Sequence, residues 1–264
     1  MDAGGEVGMT PYEYMWADRA YFEDFVSRAT FHSNAIEGNT LTLAETYAIQ
    51  WNDNSMRVTA TARELYEAIN LKYALTVAMR DSEPELRESL VKRVAREVSR
   101  NVGDLDDYRR VQVMIQGAEH VPPSPQQVRT MMMELVYAYN LDVRSGRDPF
   151  EREAEFHIGF ERIHPFEDGN GRTGRILLQR GLMLSALAPA VISRDSRAEY
   201  LDLLDGRDVS GLAALLADVS AAEQTRLEAF ASARSAVDLC DGRAVATDVP
   251  SMSPRTSGDG DVVL

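Results

Sequence analysis

The stretch that most limits how this chain can fold is Ile163-His164-Pro165-Phe166-Glu167-Asp168-Gly169-Asn170-Gly171-Arg172-Thr173-Gly174-Arg175, which runs straight into the apolar Ile176-Leu177-Leu178. A glycine-rich loop opening a helix gathers backbone N–H groups and the positive end of the helix dipole at one point, which is an anion site and most often a phosphate site. Gly169 and Gly171 lack Cβ, so the backbone can approach a ligand closely. Arg172 and Arg175 are three residues apart and share one face of the first turn, where both guanidinium groups can fork onto phosphate oxygens. Asp168 offers a hard carboxylate oxygen suited to Mg²⁺ carried with a nucleotide's phosphates. His164 is the group here able to take a proton near neutral pH. The almost wholly apolar Ile176 to Leu187 is expected to be the central buried helix.

Composition narrows the partners. With 264 residues the chain can bury one large core, or one core plus a small satellite. Apolar content of 44% and charged content of 27% are those of an ordinary globular protein. A formal net charge of −14 leaves no basic surplus for a nucleic-acid backbone, so no nucleic-acid partner is expected. No apolar run has membrane-spanning length and no leader pattern opens the chain, so neither a membrane partner nor an anchor is expected. The single Cys240 excludes an internal disulfide and fits a reducing, cytoplasmic location.

Along the chain the signals are helical. Residues 1–9 read as a mobile start, and Pro11 to about Thr30 as an amphipathic helix carrying Met15, Phe22, Phe25, Val26 and Ala29 on one face. Four capping boxes mark helix starts: Thr42-x-x-Glu45, Thr61-x-x-Glu64, Ser82-x-x-Glu85 and Ser124-x-x-Gln127. After the third, Leu86, Leu90, Val94 and Val98 form a core face, and Met131-Met132-Met133 reads as adaptable core filling. Asp148-Pro149 opens the helix that delivers His164, with His157 two turns earlier as a packing histidine. Ser196 to Leu204 and Ser210 to Phe230 read as two further helices, and 236–264 as a disordered tail. The exception is Arg110 to Gly117, where apolar and polar residues alternate with period two. It reads as a short β-hairpin whose free edge could align an extended peptide by strand addition, with a plain connector as the other reading.

A second informative stretch is Ser33-Asn34-Ala35-Ile36-Glu37-Gly38, a helical turn ended by Gly38 with Glu37 in its last turn. The dipole there disfavours negative charge, so Glu37 would gain from a cationic partner elsewhere. Pattern alone leaves a plain helix C-cap as an equal reading.

The central stretch resembles the signature of the Fic (filamentation induced by cyclic AMP) family, His-Pro-Phe-x-Asp/Glu-Gly-Asn-Gly-Arg-x-x-Arg, with every specified position present. Ser33, Glu37 and Gly38 are similar to that family's inhibitory Ser/Thr-x-x-x-Glu-Gly/Asn motif, which marks the self-inhibited class II. The resemblance implies an all-α, Fic-type helical bundle with one short β-hairpin flap. It divides the chain into an N-terminal helical region at 10–81 carrying the inhibitory helix and a Fic core at 82–235. It implies transfer of AMP from ATP to a Tyr, Thr or Ser hydroxyl of a target protein and of the chain itself. His164 would be the catalytic base. Asp168, Gly169, Asn170, Gly171, Arg172, Thr173, Gly174 and Arg175 would bind ATP, with Asp168 as the Mg²⁺ ligand and Tyr200 near adenine and ribose. A tyrosine packed in the core is the equal alternative at 200. Val113, Met114, Ile115, Gln116 and Gly117 would be the target-docking flap. Glu37 would block the γ-phosphate site by pairing with Arg175. Gly171 favours AMP transfer over the inverted, kinase-type use of ATP. Removal of AMP by the same fold, a vestigial nucleotide-binding module and a growth-regulating toxin held by a partner remain as alternatives. Relatives commonly pair or tetramerise, so a homo-oligomer is among the expectations.

Overall fold

The structure is a computed structural model that describes residues 9–51, 57–103, 105–115 and 120–240, with side chains as far as 236. The expected mobile start, apart from Met9, the flap residues Gln116 and Gly117, the side chain of Cys240 and the tail beyond it lie outside the described residues. Everything regular among the described residues is helical: α1 (Pro11–Ala17), α2 (Arg19–Ile36), α3 (Leu43–Trp51), α4 (Ala62–Met79), α5 (Glu88–Ser99), α6 (Pro125–Ser145), α7 (Pro149–Ile163), α8 (Asn170–Leu184), α9 (Arg197–Gly206) and α10 (Val209–Cys240). None of these helices is long and apolar enough to cross a membrane.

The middle of the molecule is α8, which packs against α7, α5, α4 and α2. Its side chains serve two apolar clusters at once. Ile176, Leu177 and Met183 join the larger one with Phe25, Leu71, Val94, Phe160 and Phe166. Leu178 and Leu182 join the smaller one with Ile36, Ile158, Tyr200, Leu212 and Leu216. Nearly every residue of α8 is buried, Arg172, Arg175 and Arg180 included, so the helix has to be enclosed on every side, and α1, α2, α4, α5 and α7 enclose it. Enclosure fixes the position of its N-terminus, which carries the glycine-rich loop.

The boxes at Thr42, Thr61 and Ser124 cap α3, α4 and α6 as the spacing predicts. Elsewhere tertiary bonds override local signals. The expected helix start at Ser82 is absent: α5 begins at Glu88, and its N-cap Arg87 makes no side-chain capping bond. The buried Arg180 donates to the carbonyls of Asp81 and Glu83, and the Asn140 amide holds the N–H and C=O of Leu86 at 2.8 and 2.9 Å. The backbone a helix would need is therefore committed to α8 and α6. Pro11 to Thr30 is not one helix, because Asp18 adopts an extended conformation and caps α2, accepting from the Tyr21 N–H at 2.9 Å. Ser33 to Ile36 is not a separate short turn but the last turn of α2. Met132 is buried as expected, yet Met133 faces solvent. The expected tail from 236 begins instead as helix, since α10 reaches Cys240.

The β-hairpin flap is likewise not found. Val113, Met114 and Ile115 follow an irregular path, with no strand among the described residues. Alternation predicts a strand only where a neighbour offers a ladder, and here side chains take the backbone acceptors. Arg109 Nη1 donates to Val111 O at 2.9 Å, and Gln112 Nε2 to Pro122 O at 3.0 Å.

Candidate active site

The loop between α7 and α8 turns on two left-handed residues, His164 (φ 50°) and Gly169 (φ 76°). Glycine suits the second, where a β-carbon would also press to 2.9 Å from Val98 Cγ1. Histidine at the first is strained and is held by its neighbours. Its N–H caps α7 on Phe160 O at 2.9 Å, and its carbonyl accepts from Arg109 Nε at 2.8 Å. The Asn170 side chain braces the turn from the other side, bonding both the N–H and C=O of Phe166 at 2.9 Å. That amide is therefore spent on the loop rather than offered to a phosphate.

His164 is half-buried, and its Nδ1 lies 3.2 Å from the Glu161 carbonyl. A carbonyl only accepts, so Nδ1 carries the proton and Nε2 keeps its lone pair. Burial, partly offset by that same carbonyl, pushes the imidazole below its usual range. At pH 7 His164 is a neutral base.

Asp168 is 52% exposed at its side chain. Its Oδ1 accepts from the Gly169 N–H at 2.6 Å and from Arg172 Nη2 at 3.0 Å, while Oδ2 meets Arg63. Burial pushes this carboxyl up, but Arg172 and Arg63 outweigh it and hold the acid below the usual carboxylate range. Arg172 is buried and shared, with Nη1 2.9 Å from Glu67 Oε1. Arg63 reaches the same oxygen at 2.9 Å, so two cations and two carboxylates form one chain of charges.

Arg175 is turned toward α2. Its Nε donates to Ser33 Oγ at 2.9 Å, and Nη2 to Ser33 O at 3.1 Å and to Glu37 Oε1 at 2.6 Å. Burial pushes the Arg175 guanidinium down, yet Tyr200 and the Glu37 carboxylate beside it outweigh that and hold it firmly charged. Glu37 is the C-cap of α2, and Gly38 (φ 94°) lets Asn39 N return to Asn34 O at 3.0 Å. Its side chain is 40% exposed; burial raises its pKa, but Arg175 brings the net below the usual range. A β-carbon on Gly171 would collide with Glu37 Oε1 and come within 3.0 Å of Arg175 Nη1. Gly171 lies in the first turn of α8, where N–H groups have no intrahelical partner. The Glu37 carboxylate thus lies against the first turn of α8, held there by Arg175.

Glu37, Glu161, His164, Gly171, Arg175 and Tyr200 line one cleft of about 610 Å³, with apolar Ile36, Leu201 and Leu204 beside them, while Asp168, Asn170 and Arg172 are not among its lining residues. Met114 and Ile115 also line it, although no strand presents them. Tyr200 is fully buried, with its hydroxyl 2.6 Å from His157 Nε2 and 3.4 Å from Arg175 Nη1. Thr173 and Gly174 do not line the cleft: Thr173 is buried, and a β-carbon at 174 would meet Glu161 Oε1 at 2.6 Å and His157 Cε1 at 2.8 Å.

Sequence reasoning missed four participants. Arg63 and Glu67, on α4, carry no local motif and reach the loop only through tertiary packing. Glu161 is one turn before His164 on α7; burial pushes its carboxyl up to about 8, and Oε1 has no hydrogen-bond partner. Arg109 falls in the irregular segment, where periodicity offers no signal.

Residues 85–182 match the Fic/DOC family. The chain is 31% identical over 209 residues to protein adenylyltransferase Fic of Drosophila virilis, and 30% over the same length to that of Drosophila grimshawi. Each alignment covers 75% of this chain and 41% of the relative, so the chain spans about two fifths of the length of these curated relatives. Among solved structures, Fic-1 from C. elegans superposes with a TM-score of 0.71 at 28% identity, covering 81% of this chain and 66% of that one. A Fic domain containing signaling protein from Bacteroides thetaiotaomicron superposes with a TM-score of 0.69 at 22% identity, over 86% and 92% of the two chains, which speaks to the fold alone. The chain carries a Fic/DOC family domain, and α8 with the loop before it lies inside the matched region.

Proposed function

We propose that the chain is a self-inhibited protein adenylyltransferase, which transfers AMP from ATP to a Tyr, Thr or Ser hydroxyl of a target protein. The observation that carries this reading is the shared cleft, where a neutral imidazole with a free Nε2 stands beside an anion position at the start of α8. The names of the Drosophila relatives support the same reaction class. In the reaction, Nε2 of His164 takes the proton of the attacking hydroxyl. The hydroxyl oxygen forms a bond to the α-phosphorus, and the bond to the β-phosphate oxygen breaks, leaving pyrophosphate. The first-turn amides of α8 and the Arg172 guanidinium hold the phosphates and offset charge as it develops.

Magnesium fits this site as a passenger of the nucleotide. Asp168 is one hard, half-exposed oxygen donor, and among the described residues no group of three or more His, Cys, Asp or Glu forms a protein cage. Mg²⁺ held by phosphates needs only one or two carboxylates. Asp168 would hold it once Arg63 gives way, and the ion would supply charge neutralisation on the phosphates.

Self-inhibition rests on the Glu37 carboxylate lying against Gly171 and on Arg175. While it stays, Arg175 is not available to a γ-phosphate. The test is incubation of the wild-type and Glu37→Gly proteins with Mg²⁺ and ATP labelled at the α-phosphate or at the γ-phosphate. Incorporation of α-label, raised by Glu37→Gly, supports the reading. Incorporation of γ-label alone would make the protein a kinase, and no incorporation from either label would remove the transferase reading.

A further inference from the structure

Arg109 is buried, 55 residues before His164 in sequence, and three of its five hydrogen bonds end on the loop that carries His164. Nε donates to His164 O at 2.8 Å, and Nη2 to Pro123 O at 2.5 Å and Ile163 O at 3.4 Å. Nη1 donates to Val111 O at 2.9 Å, and its backbone N–H donates to Pro165 O at 2.9 Å. Among the described residues its charge is met by carbonyl oxygens and not by a carboxylate. Burying a guanidinium without a counter-ion is costly, so such a group is retained where a fork of donors does something a neutral side chain cannot. Here it locks three consecutive residues, Ile163 to Pro165, around the strained left-handed His164, and ties them to the two ends of the 111–123 segment.

We propose that Arg109 is the positioning residue of His164, setting the loop geometry that keeps the imidazole protonated at Nδ1 and leaves Nε2 free. The chain of causes is short. The imidazole keeps its tautomer through the Nδ1 bond to Glu161 O, and that bond holds only while the His164 backbone stays in its left-handed turn. Three of the bonds from Arg109 end on that turn. Free imidazole prefers the other tautomer, in which Nε2 carries the proton and cannot accept one. Releasing the turn therefore blocks the base without touching the anion position at Gly171. The proposal rests on the reading of His164 as the base, and the experiment is arranged so that the two can fail separately.

The experiment uses the full chain with ¹⁵N-labelled histidine, in which four histidines are present and His164→Ala identifies the signal of interest. In the wild type the His164 nitrogens are expected to report the Nδ1–H tautomer; in Arg109→Met they are expected to move toward Nε2–H. In the Glu37→Gly background, adding Arg109→Met is expected to lower α-label incorporation about 100-fold, as for a misplaced catalytic group. ATP affinity by calorimetry is expected to change less than about threefold. Arg109→Lys, which keeps the charge and a single donor nitrogen in place of the guanidinium fork, is expected to fall between and guards against a Met variant that fails to fold. An unchanged His164 tautomer in either folded variant overturns the proposal, as does loss of ATP affinity in parallel with rate. If the Glu37→Gly parent transfers no AMP, the reaction reading fails while the tautomer measurement still decides the role of Arg109.

Discussion

The Tyr200 hydroxyl stands between two nitrogens, 2.6 Å from His157 Nε2 and 3.4 Å from Arg175 Nη1. A guanidinium only donates, so the tyrosine oxygen accepts from Arg175 and gives its own proton to His157. Burial, reinforced by the nearby Arg175, drives the His157 pKa down to about 3, and the ring stays a neutral acceptor. Tyr200 thus both packs in the smaller apolar cluster and backs the arginine that Glu37 engages. Tyr200→Phe leaves a buried nitrogen unpaired and is expected to cost about 1–3 kcal/mol of stability. Urea denaturation of the two proteins checks this, and equal midpoints and slopes would contradict it.

Gly171→Ala puts a methyl group where Glu37 Oε1 now lies. Alanine is otherwise the better helix former, so the helix itself should not suffer. The methyl group displaces the carboxylate but also crowds the anion position. The variant is therefore expected to bind ATP about tenfold more weakly than Glu37→Gly, even though both have lost the Glu37 contact. Calorimetric titration with Mg²⁺ and ATP measures the difference.

Under the proposed self-inhibition, the pairing of Glu37 with Arg175 would set the pH range of inhibition. Its folded pKa lies below the usual carboxylate value, because Arg175 outweighs burial. The stabilisation is thus complete above the ordinary glutamate pKa and is lost as pH falls through the lower folded value. Between pH 5.5 and 8 the ratio of Glu37→Gly to wild-type AMP incorporation is expected to stay constant. A ratio that collapses toward one at pH 5.5 would mean that the carboxylate is being protonated there.

Glu161 has the opposite sign. Burial raises it to about 8, so the folded state holds a proton that the unfolded chain releases above its ordinary pKa near 4.5. Its contribution is fully present below that ordinary value and is lost as pH rises toward 8. Glu161→Gln cannot ionise, and it is expected to be more stable than the wild type at pH 8 by on the order of 1–3 kcal/mol, with little difference at pH 4.5. Urea denaturation at the two values tests both the sign and the window.

Asn170→Ala removes both side-chain bonds that close the turn over Phe166. The buried N–H and C=O of Phe166 are left without those partners, and a loss of about 2 kcal/mol is expected. A thermal melt reads the loss directly. If Asn170 served a phosphate instead, the melt would be unaffected and ATP affinity alone would fall.

Local chemistry explains what could be read from residues in order. The glycines at 169–174 announce a loop that opens a helix, and α8 begins there with Gly169 as its N-cap. The boxes at Thr42, Thr61 and Ser124 need only residues three apart, and all three cap helices. The same pattern at Ser82 was outbid, because Arg180 and Asn140 bring stronger claims on that backbone from 97 and 54 residues away. The alternation at 110–117 is a statement about faces, and without a partner strand among the described residues it produced no sheet.

Sequence alone determined that a loop with a base, a carboxylate and two guanidinium groups would open a buried helix, because each signal is contained within one helical turn. Only tertiary structure decided where those groups look. It brought Glu37 across 138 residues onto Arg175, spent Asn170 on the loop, and set Arg109 behind His164. A side chain's partner depends on which helices pack together, and helix packing is settled by burial summed over the whole core, which no short stretch encodes.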